Sequence, residues 1–251
     1  MTTTILYPYY AAAADGDELR FSLRSLAENL QGDYEPVIIG DIPDWYTGAA
    51  IELPRITQDQ YRQHTGKKFH AKWHPIVDVV WKIAAAAQTP EISDTFIVWY
   101  DETHLFGPVD LSYFLTPRYL GDIPPHPVRN NEFNEALIRS RARLKSRGLP
   151  TRDFATHHPY PICKQDLPGY YAEFTPLVSP SIIEAQYHNW RGIHCEKSDK
   201  ENFQYMNRRK CESFAGEFPD AKTINFGIVT PSIESALAKR FRTPSPWEKQ
   251  P

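Results

Sequence analysis

The sequence predicts an α/β fold with a mostly parallel sheet flanked by helices, and three observations support this prediction. An apolar segment, an amphipathic helical segment and a second apolar segment follow one another over residues 4–41, which is the order of a β-α-β unit. A further helical pattern over residues 75–88 precedes a continuous apolar run that begins at Thr95. Such a run is typical of a strand that is buried on both faces, as parallel strands are.

The elements of the first half follow from apolar spacing and turn residues. Leucines recur at helical spacing after Asp15-Gly16-Asp17, which supplies a turn and an N-cap, and Thr89-Pro90 ends the next helical pattern. In chain order we predict a strand over 4–10, a helix over 17–31, a strand over 35–41, a short strand over 50–54, a polar loop over 57–75, a helix over 75–88 and the central strand from Thr95 to Asp101.

The second half is predicted to be less regular. Gly148 and Pro150 end a helical pattern, and the prolines of His157-His158-Pro159-Tyr160-Pro161 favour an extended loop. In chain order we predict a Pro-rich loop over 118–131, a helix over 132–147, an extended loop over 154–161, a helix starting at Pro180, a short strand over 225–229 and a mobile tail over 243–251. Residues 1–242 are predicted to form one domain.

Composition indicates a cytosolic enzyme. The chain has 41% hydrophobic and 24% charged residues, and its net charge of -3 gives no sign of a protein that is basic throughout. Three cysteines without metal-ligand spacing indicate reduced thiols in a cytoplasmic protein. We expect no signal peptide, because the N-terminus lacks a basic region and a long apolar stretch, and no membrane span, because no apolar run approaches about 20 residues. No glycine-rich phosphate loop is present, which disfavours kinases and dehydrogenases.

Acidic residues follow two of the predicted strands. Asp101 and Glu102, here called the acidic pair, end the central strand, and Asp41 ends the second strand. Ligands of open α/β sheets bind beyond the carboxyl ends of the strands, and Mg²⁺ prefers carboxylate and phosphate oxygens. The pair is therefore a candidate metal and diphosphate site, and Asp41 is a candidate for binding a base or ribose. The alternative for the acidic pair is a solvated acidic turn, and the alternative for Asp41 is an aspartate that caps the turn at Ile42-Pro43.

Cationic and aromatic residues supply candidates for binding the rest of a nucleotide. Lys72 and Lys82, with the neighbouring Lys67 and Lys68, are candidates to neutralise phosphate, and Tyr7 or Trp73 is a candidate to stack on a base. Lysines that are merely solvated are the alternative for each cation.

Two adjacent histidines are candidate catalytic residues. His157 and His158 lie in a segment that proline stiffens, and an imidazole held in place there can act as a general base, stabilise a departing phosphate or bind a metal. The alternative is a loop histidine without a role. His188 and His194 are weaker candidates for the same site.

A basic helix is the last candidate, and it would contact an acceptor. Arg141 and Arg143 belong to a run of cations over 139–152 that can bind a phosphate backbone, although such a run is more often a solvated face. Asp199 is a candidate acid on the acceptor side, with helix capping as the alternative.

These motifs resemble a known enzyme family. The early β-α-β unit and the strand that enters Tyr100-Asp101-Glu102 resemble GT-A type glycosyltransferases, in which an acidic pair binds a metal and the donor diphosphate. The order Asp101-Glu102, Gly107-Pro108, His157-His158-Pro159 is also similar to stealth-type sugar-phosphate transferases. Glu102 replaces the usual second aspartate, and Tyr7-Pro-Tyr-Tyr10 departs from the opening motif of the stealth family.

The resemblance implies a Rossmann-type, GT-A-like sheet and transfer of a sugar from a nucleotide-sugar donor, with a UDP-sugar as the first expectation. Asp101 and Glu102 would bind Mg²⁺ or Mn²⁺. Residues 1–115 would form the donor half, and 116–242 the acceptor half. The acceptor would be a surface glycan or a hydroxymethylated base in DNA. The alternatives are a stealth-type sugar-phosphate transfer and a non-catalytic nucleotide- or carbohydrate-binding module.

Overall fold

The computed structural model describes most of the chain as helices, strands and short connections. It describes residues 2–14, 16–127, 131–198, 202–205, 211, 218 and 221–249. Its strands are β1 (Thr3–Tyr9), β2 (Leu30–Gln31), β3 (Tyr34–Gly40), β4 (Ala49–Glu52), β5 (Thr95–Val98), β6 (Thr103–Leu105), β7 (Val109–Asp110), β8 (Arg118–Tyr119), β9 (Tyr160–Cys163), β10 (Glu196–Lys197), β11 (Asn202–Tyr205) and β12 (Thr223–Phe226). Its helices are α1 (Glu18–Asn29), α2 (Gln58–Thr65), α3 (His74–Gln88), α4 (Ser112–Leu115), α5 (Glu132–Lys145), α6 (Leu167–Phe174), α7 (Ile183–Arg191) and α8 (Pro231–Arg240).

The predicted fold class is confirmed by the main sheet. Its strand order is β4-β3-β1-β5-β9, and every neighbouring pair is parallel except β5 and β9. The predicted β-α-β unit is β1-α1-β3, with β1 and β3 paired along their whole length. Shorter sheets join β10 to β8, β11 to β12 and β6, and β2 to β7.

Apolar side chains cover both faces of the main sheet, which is why its strands are continuous apolar runs. Leu6 and Val98 belong to a core with α3, α5, α6 and α7 on one face. Ile5 and Ile97 belong to a second core with α1 and α4 on the other face. A third cluster lies between α8, β12 and Phe21 of α1.

Two segments that were predicted as loops contain regular structure. The polar segment 57–75 contains α2. A capping box, in which the side chains of Thr57 and Gln60 bind each other's backbone N–H groups, stabilises its first turn, so the helix can begin without a pronounced apolar pattern. The loop over 154–161 ends in β9, despite Pro161. Proline is tolerated there because β9 is an edge strand of the main sheet.

The predicted mobile tail packs on the protein as far as residue 249. Glu248 is only 6% exposed and binds both Arg24 Nε and Arg24 Nη2 at 2.7 Å. The Thr47 N–H donates to the Trp247 carbonyl at 2.9 Å, and Ser245 is fully buried. A buried ion pair and backbone hydrogen bonds therefore connect this segment to the rest of the protein, where the sequence predicted a mobile tail.

No helix in the described residues is both long and apolar enough to cross a membrane. Ligands of open α/β sheets bind beyond the carboxyl ends of the parallel strands, so a site is expected at this end of the main sheet. The chain leaves β1 at Tyr10 and leaves β5 at Trp99, and the N-terminus of α3 lies beside both exits.

Candidate active site

Two adjoining cavities lie at this end of the sheet. The first, here called the polar cavity, has a volume of about 240 Å³ and is lined by Pro8, Tyr10, Ala13, Glu18, Arg55, Pro75, Asp78, Val79, Asp101, Glu102, Phe226 and Gly227. The second, here called the apolar cavity, has a volume of about 250 Å³ and is lined by Pro75, Ile76, Val79, Val80, Tyr100, Asp101, Glu102, Phe133, His157, Ser181, Ile182, Ile183 and Glu184. The acidic pair lines both cavities and therefore lies where they meet.

The acidic pair occupies the turn between β5 and β6. The Thr103 N–H donates to the Tyr100 carbonyl at 3.0 Å, which closes the turn. The Thr103 carbonyl accepts hydrogen bonds from the Ser22 hydroxyl at 2.6 Å and from the Trp99 indole at 3.2 Å. These bonds to buried residues anchor the base of the turn, while both acids stay partly exposed.

Tyr7 supports this turn and does not reach either cavity. Its side chain is 1% exposed, and its hydroxyl lies 3.0 Å from the Ser22 hydroxyl. The prediction that Tyr7 stacks on a base is therefore wrong, because the strand places its ring inside the core. Tyr10, just beyond the same strand, lines the polar cavity instead.

His157 forms a close ion pair with the acidic pair. Its Nδ1 lies 2.6 Å from Glu102 Oε1. Burial lowers the pKa of His157, but the carboxylate of Glu102, with smaller contributions from Glu184 and Asp153, outweighs burial and raises the pKa above its ordinary value. The ring also stacks on Phe133, with centroids 5.7 Å apart.

The backbone of His157 adopts a strained conformation. Its φ of 50° lies in the left-handed region, which is uncommon for residues other than glycine. Strain of this kind clusters at functional sites, where the surrounding structure holds it. The loop geometry therefore singles out His157 among the two adjacent histidines.

His158 lies on the other side of the loop and is not part of the site. It is 2% exposed and packs against the rings of Tyr113 and Phe114, with centroids 5.5 Å and 5.3 Å away. Its Nδ1 lies 2.9 Å from the Pro159 carbonyl. The bend at His157, whose φ is 50°, sends the two consecutive side chains in different directions, so His158 lines neither cavity and the structure does not bring it to the predicted catalytic position.

Glu184 is a buried acid in the apolar cavity that sequence analysis missed. It lies in the first turn of α7 and is 7% exposed. Burial raises the pKa of Glu184 to about 7, against a smaller lowering by His157. Burial likewise raises the pKa of the neighbouring Asp153. From sequence alone, Glu184 has the pattern of an ordinary acid near a helix N-terminus.

The polar cavity combines an arginine–tyrosine stack with a buried ion pair. The Arg55 guanidinium lies 4.2 Å from the centre of the Tyr10 ring. Lys82 is 1% exposed, binds Asp78 Oδ2 at 2.7 Å and donates to the Tyr9 carbonyl at 2.7 Å. Lys82 therefore neutralises Asp78 and anchors the end of β1, and the prediction that it binds a phosphate directly is wrong.

Asp41 and Lys72 also have structural partners and line neither cavity in the described part of the chain. Asp41 Oδ2 accepts a hydrogen bond from the Ala11 N–H at 2.9 Å, which matches the turn-capping alternative. Lys72 binds Glu135 at 2.7 Å and lies over the Trp73 ring. The structure therefore does not bring Asp41 or Lys72 into the lining of these cavities, and their contacts with a donor stay predictions.

The basic helix, α5, uses its arginines within the protein. Arg143 donates hydrogen bonds to the carbonyls of Phe174 and Ser179, and Arg147 binds Glu173 at 3.1 Å. The guanidinium of Arg143 is therefore engaged by carbonyls within the protein and does not extend toward an acceptor, as was predicted for it. Arg141 is partly exposed and lines neither cavity. Asp199 lies outside the described residues.

The acidic pair fits a cation that is also bound by phosphate oxygens. The described residues contain no group of three or more potential metal ligands, so they do not form a cage of protein ligands. Mg²⁺ commonly binds one or two carboxylates and takes its other oxygens from phosphate and water. The carboxylates of Glu18, Asp78, Asp101 and Glu102 line the polar cavity together with the guanidinium of Arg55, while Asp78 is paired with Lys82 and Glu102 with His157. A divalent cation bound by the acidic pair would add positive charge beside these carboxylates, which favours the binding of a diphosphate.

Three of the solved structures to which this chain is similar are structures of glycosyltransferases. The apo-form and a second structure of the glycosyltransferase GlyE from Streptococcus pneumoniae TIGR4 each share 10% identity, with TM-scores of 0.42 and 0.44. Mouse xyloside xylosyltransferase 1 in its apo form shares 8% identity over 89% of this chain and 97% of its own, with a TM-score of 0.46. No family model and no curated protein matches the sequence.

This similarity is limited in extent. The chain covers 61% of the GlyE chain, although 97% of its own residues are matched. TM-scores below 0.5 are too low to transfer an activity or a substrate from those proteins. The similarity to stealth-type transferases finds no support among them and stays a prediction.

Proposed function

We propose that this protein is a glycosyltransferase that transfers a sugar from a nucleotide-sugar donor to an acceptor hydroxyl. The observation that carries the proposal is the position of Asp101 and Glu102 at the junction of two cavities of different character. A two-substrate transfer needs two binding volumes that share the reacting centre. The polar cavity suits the donor, and the apolar cavity suits the acceptor.

The donor half of the proposal rests on the polar cavity. Tyr10 and Arg55, stacked on each other in its lining, supply an aromatic ring and a cation, the groups that suit a base and a phosphate. Asp101, with the free oxygen of Glu102, would hold Mg²⁺ or Mn²⁺, and the cation would neutralise the charge of the departing nucleoside diphosphate. A UDP-sugar is the first donor to test.

The acceptor half of the proposal rests on the pairing of His157 with Glu102. When the Nδ1–H of His157 donates to Glu102, the lone pair of the neutral ring lies on Nε2. His157 also lines the apolar cavity, so this nitrogen is the candidate general base for an acceptor hydroxyl. Glu102 would therefore have two roles: it orients the base in the apolar cavity and helps to bind the cation in the polar cavity.

A turnover assay tests the proposal. Donor hydrolysis and transfer are measured with a panel of nucleotide sugars, Mn²⁺ and Mg²⁺, for the wild type, Asp101→Asn and Asp94→Asn. Asp94 is the matched control because it is exposed and precedes the opposite end of β5. We expect Asp101→Asn to lose at least about 100-fold in turnover and Asp94→Asn to keep it. Turnover that survives Asp101→Asn contradicts the proposal, and donor binding without any turnover favours a binding module.

A further inference from the structure

We propose that the acceptor is a small alcohol or phenol with an apolar body, and that the apolar cavity binds this body. The inference rests on the proposed function, because it names the second substrate of the same site. It replaces the expectation of a surface glycan or a DNA base with a chemically different class.

The lining of the apolar cavity is the first reason. Aliphatic and aromatic side chains from three elements form most of its wall, namely Ile76, Val79 and Val80 of α3, Phe133 of α5, and Ile182 and Ile183 at the start of α7. Apolar surface removed from water contributes about 25 cal/mol per Å² to binding. A ligand with an apolar body gains this binding free energy in the cavity, whereas a ligand covered with hydroxyl groups does not.

The position of the polar groups is the second reason. The polar side chains of the lining are those of His157, the acidic pair, Tyr100, Ser181 and Glu184. The hydroxyls of Tyr100 and Ser181 are bonded to Tyr160 and Gln186, and His157 is linked to the acidic pair by the contact between its Nδ1 and Glu102 Oε1. A ligand with a single hydroxyl places that group against His157. A sugar ring carries several hydroxyls, and those that face Ile76, Phe133 or Ile183 would have no hydrogen-bond partner in the wall, at a cost of about 1–3 kcal/mol each.

The volume of the cavity sets the size of the ligand. An engineered apolar cavity of about 150 Å³ in another protein binds benzene. The cavity of about 250 Å³ therefore accommodates one aromatic ring with a short substituent. Of a polysaccharide chain or a DNA strand, the cavity can enclose about one terminal ring at most.

Equilibrium binding of two matched probes tests the inference. The probes are 4-ethylphenol and methyl β-glucoside, titrated into the wild type, Ile76→Trp and Ile138→Trp by calorimetry. Ile76 is partly exposed and lines only the apolar cavity, so an indole there fills the cavity. Ile138 of α5 is also partly buried but lines neither cavity, and it is the control for the same substitution.

We expect the wild type and Ile138→Trp to bind 4-ethylphenol at least about tenfold more tightly than methyl β-glucoside. Ile76→Trp should weaken 4-ethylphenol binding by about tenfold or more. Equal or tighter binding of the glucoside overturns the inference, and so does unchanged phenol binding in Ile76→Trp. Phe133→Ala enlarges the cavity without adding bulk, and it should improve binding of 2-naphthol; no improvement also counts against the inference.

Donor hydrolysis separates the inference from the proposed function. Hydrolysis of a nucleotide sugar needs no alcohol, so it is measured on the same protein samples without a probe. Hydrolysis without phenol binding overturns the acceptor class and leaves the transferase proposal standing. Phenol binding without any donor binding or hydrolysis overturns the transferase proposal and leaves the ligand class of the cavity standing.

Discussion

Glu184 shows how one buried residue makes stability depend on pH. Its folded-state pKa of about 7 lies above the unfolded value of about 4.3. The bound proton therefore stabilises the fold at low pH, and this contribution is lost as the pH rises through about 7. His157 and Asp153 are the charged groups that act on Glu184 within the protein.

Glu184→Gln should remove this pH dependence. Between pH 5 and pH 8 the wild type should lose free energy of unfolding, on the order of 3 kcal/mol at most, and the variant should lose much less. Urea unfolding at the two pH values measures this difference. Exposed Glu91→Gln is the control and should follow the wild type. Parallel curves for the wild type and Glu184→Gln would show that Glu184 is ionised at both values.

The substitution His157→Asn separates the effect of this residue on stability from its effect on the reaction. Asparagine tolerates the left-handed region, so His157→Asn should change the free energy of unfolding by less than about 1 kcal/mol. Because asparagine cannot accept a proton, transfer should fall by about 100-fold. Denaturant unfolding and the transfer assay measure the two effects. Full activity in His157→Asn would remove this residue from the reaction.

At the scale of elements, the arginines of α5 stabilise the packing of the second half. Arg143 donates hydrogen bonds to the carbonyl of Phe174 at the end of α6, just before Thr175 with its φ of 42°, and to the carbonyl of Ser179 in the connection to α7. A helix C-terminus leaves carbonyl groups without partners, and a guanidinium supplies several donors at once. The sequence showed the density of charge on this helix but not the carbonyls that face it.

Arg143→Ala should therefore affect stability and not DNA affinity. We expect a loss of about 1–2 kcal/mol in the free energy of unfolding, measured by urea titration. Lys145→Ala, an exposed residue of the same helix, should have little effect. The reverse pattern, with weaker DNA binding at low salt and unchanged stability, would restore the hypothesis of a DNA acceptor.

The elements that carry the site differ in how well the sequence predicts them. The sequence predicts β5 from the continuous apolar run before Asp101 and α3 from the helical spacing of its apolar residues. These two elements supply or lead into residues that line both cavities. The partner of Glu102 depends on a distant pairing, since β9 joins β5 with Tyr160 opposite Val98. This register brings the turn at 100–102 beside the loop at 157–158. No local pattern specifies it, so sequence analysis offered both histidines.

At the scale of the whole molecule, the C-terminal segment connects distant parts of the chain. Glu248 binds Arg24 of α1 at 2.7 Å in a buried position, and Trp247 lies near Tyr34 of β3. Its proline-rich sequence resembles a mobile tail because local composition does not show which buried partner receives it. The sequence around Arg24 carries no sign of this partner for the same reason.

Glu248→Gln should destabilise the protein much more than loss of a surface ion pair. Removing one partner of a buried pair costs about 3–5 kcal/mol. Glu28→Gln is the matched control, because Glu28 joins α1 to Arg240 of α8 at 2.8 Å in a more exposed pair, worth about 0–1 kcal/mol. Thermal and urea unfolding compare the two. Equal effects would show that the segment contributes little to the stability of the fold.

The central claim is that the acidic pair holds a diphosphate with the help of a divalent cation, and calorimetric titration of UDP tests it most directly. The wild type and Asp94→Asn should bind UDP with Mn²⁺ and should lose this binding when EDTA removes the cation. Asp101→Asn should bind UDP at least about tenfold more weakly in the presence of Mn²⁺. Equal affinity in Asp101→Asn, or UDP binding that is unchanged by EDTA, would contradict the claim.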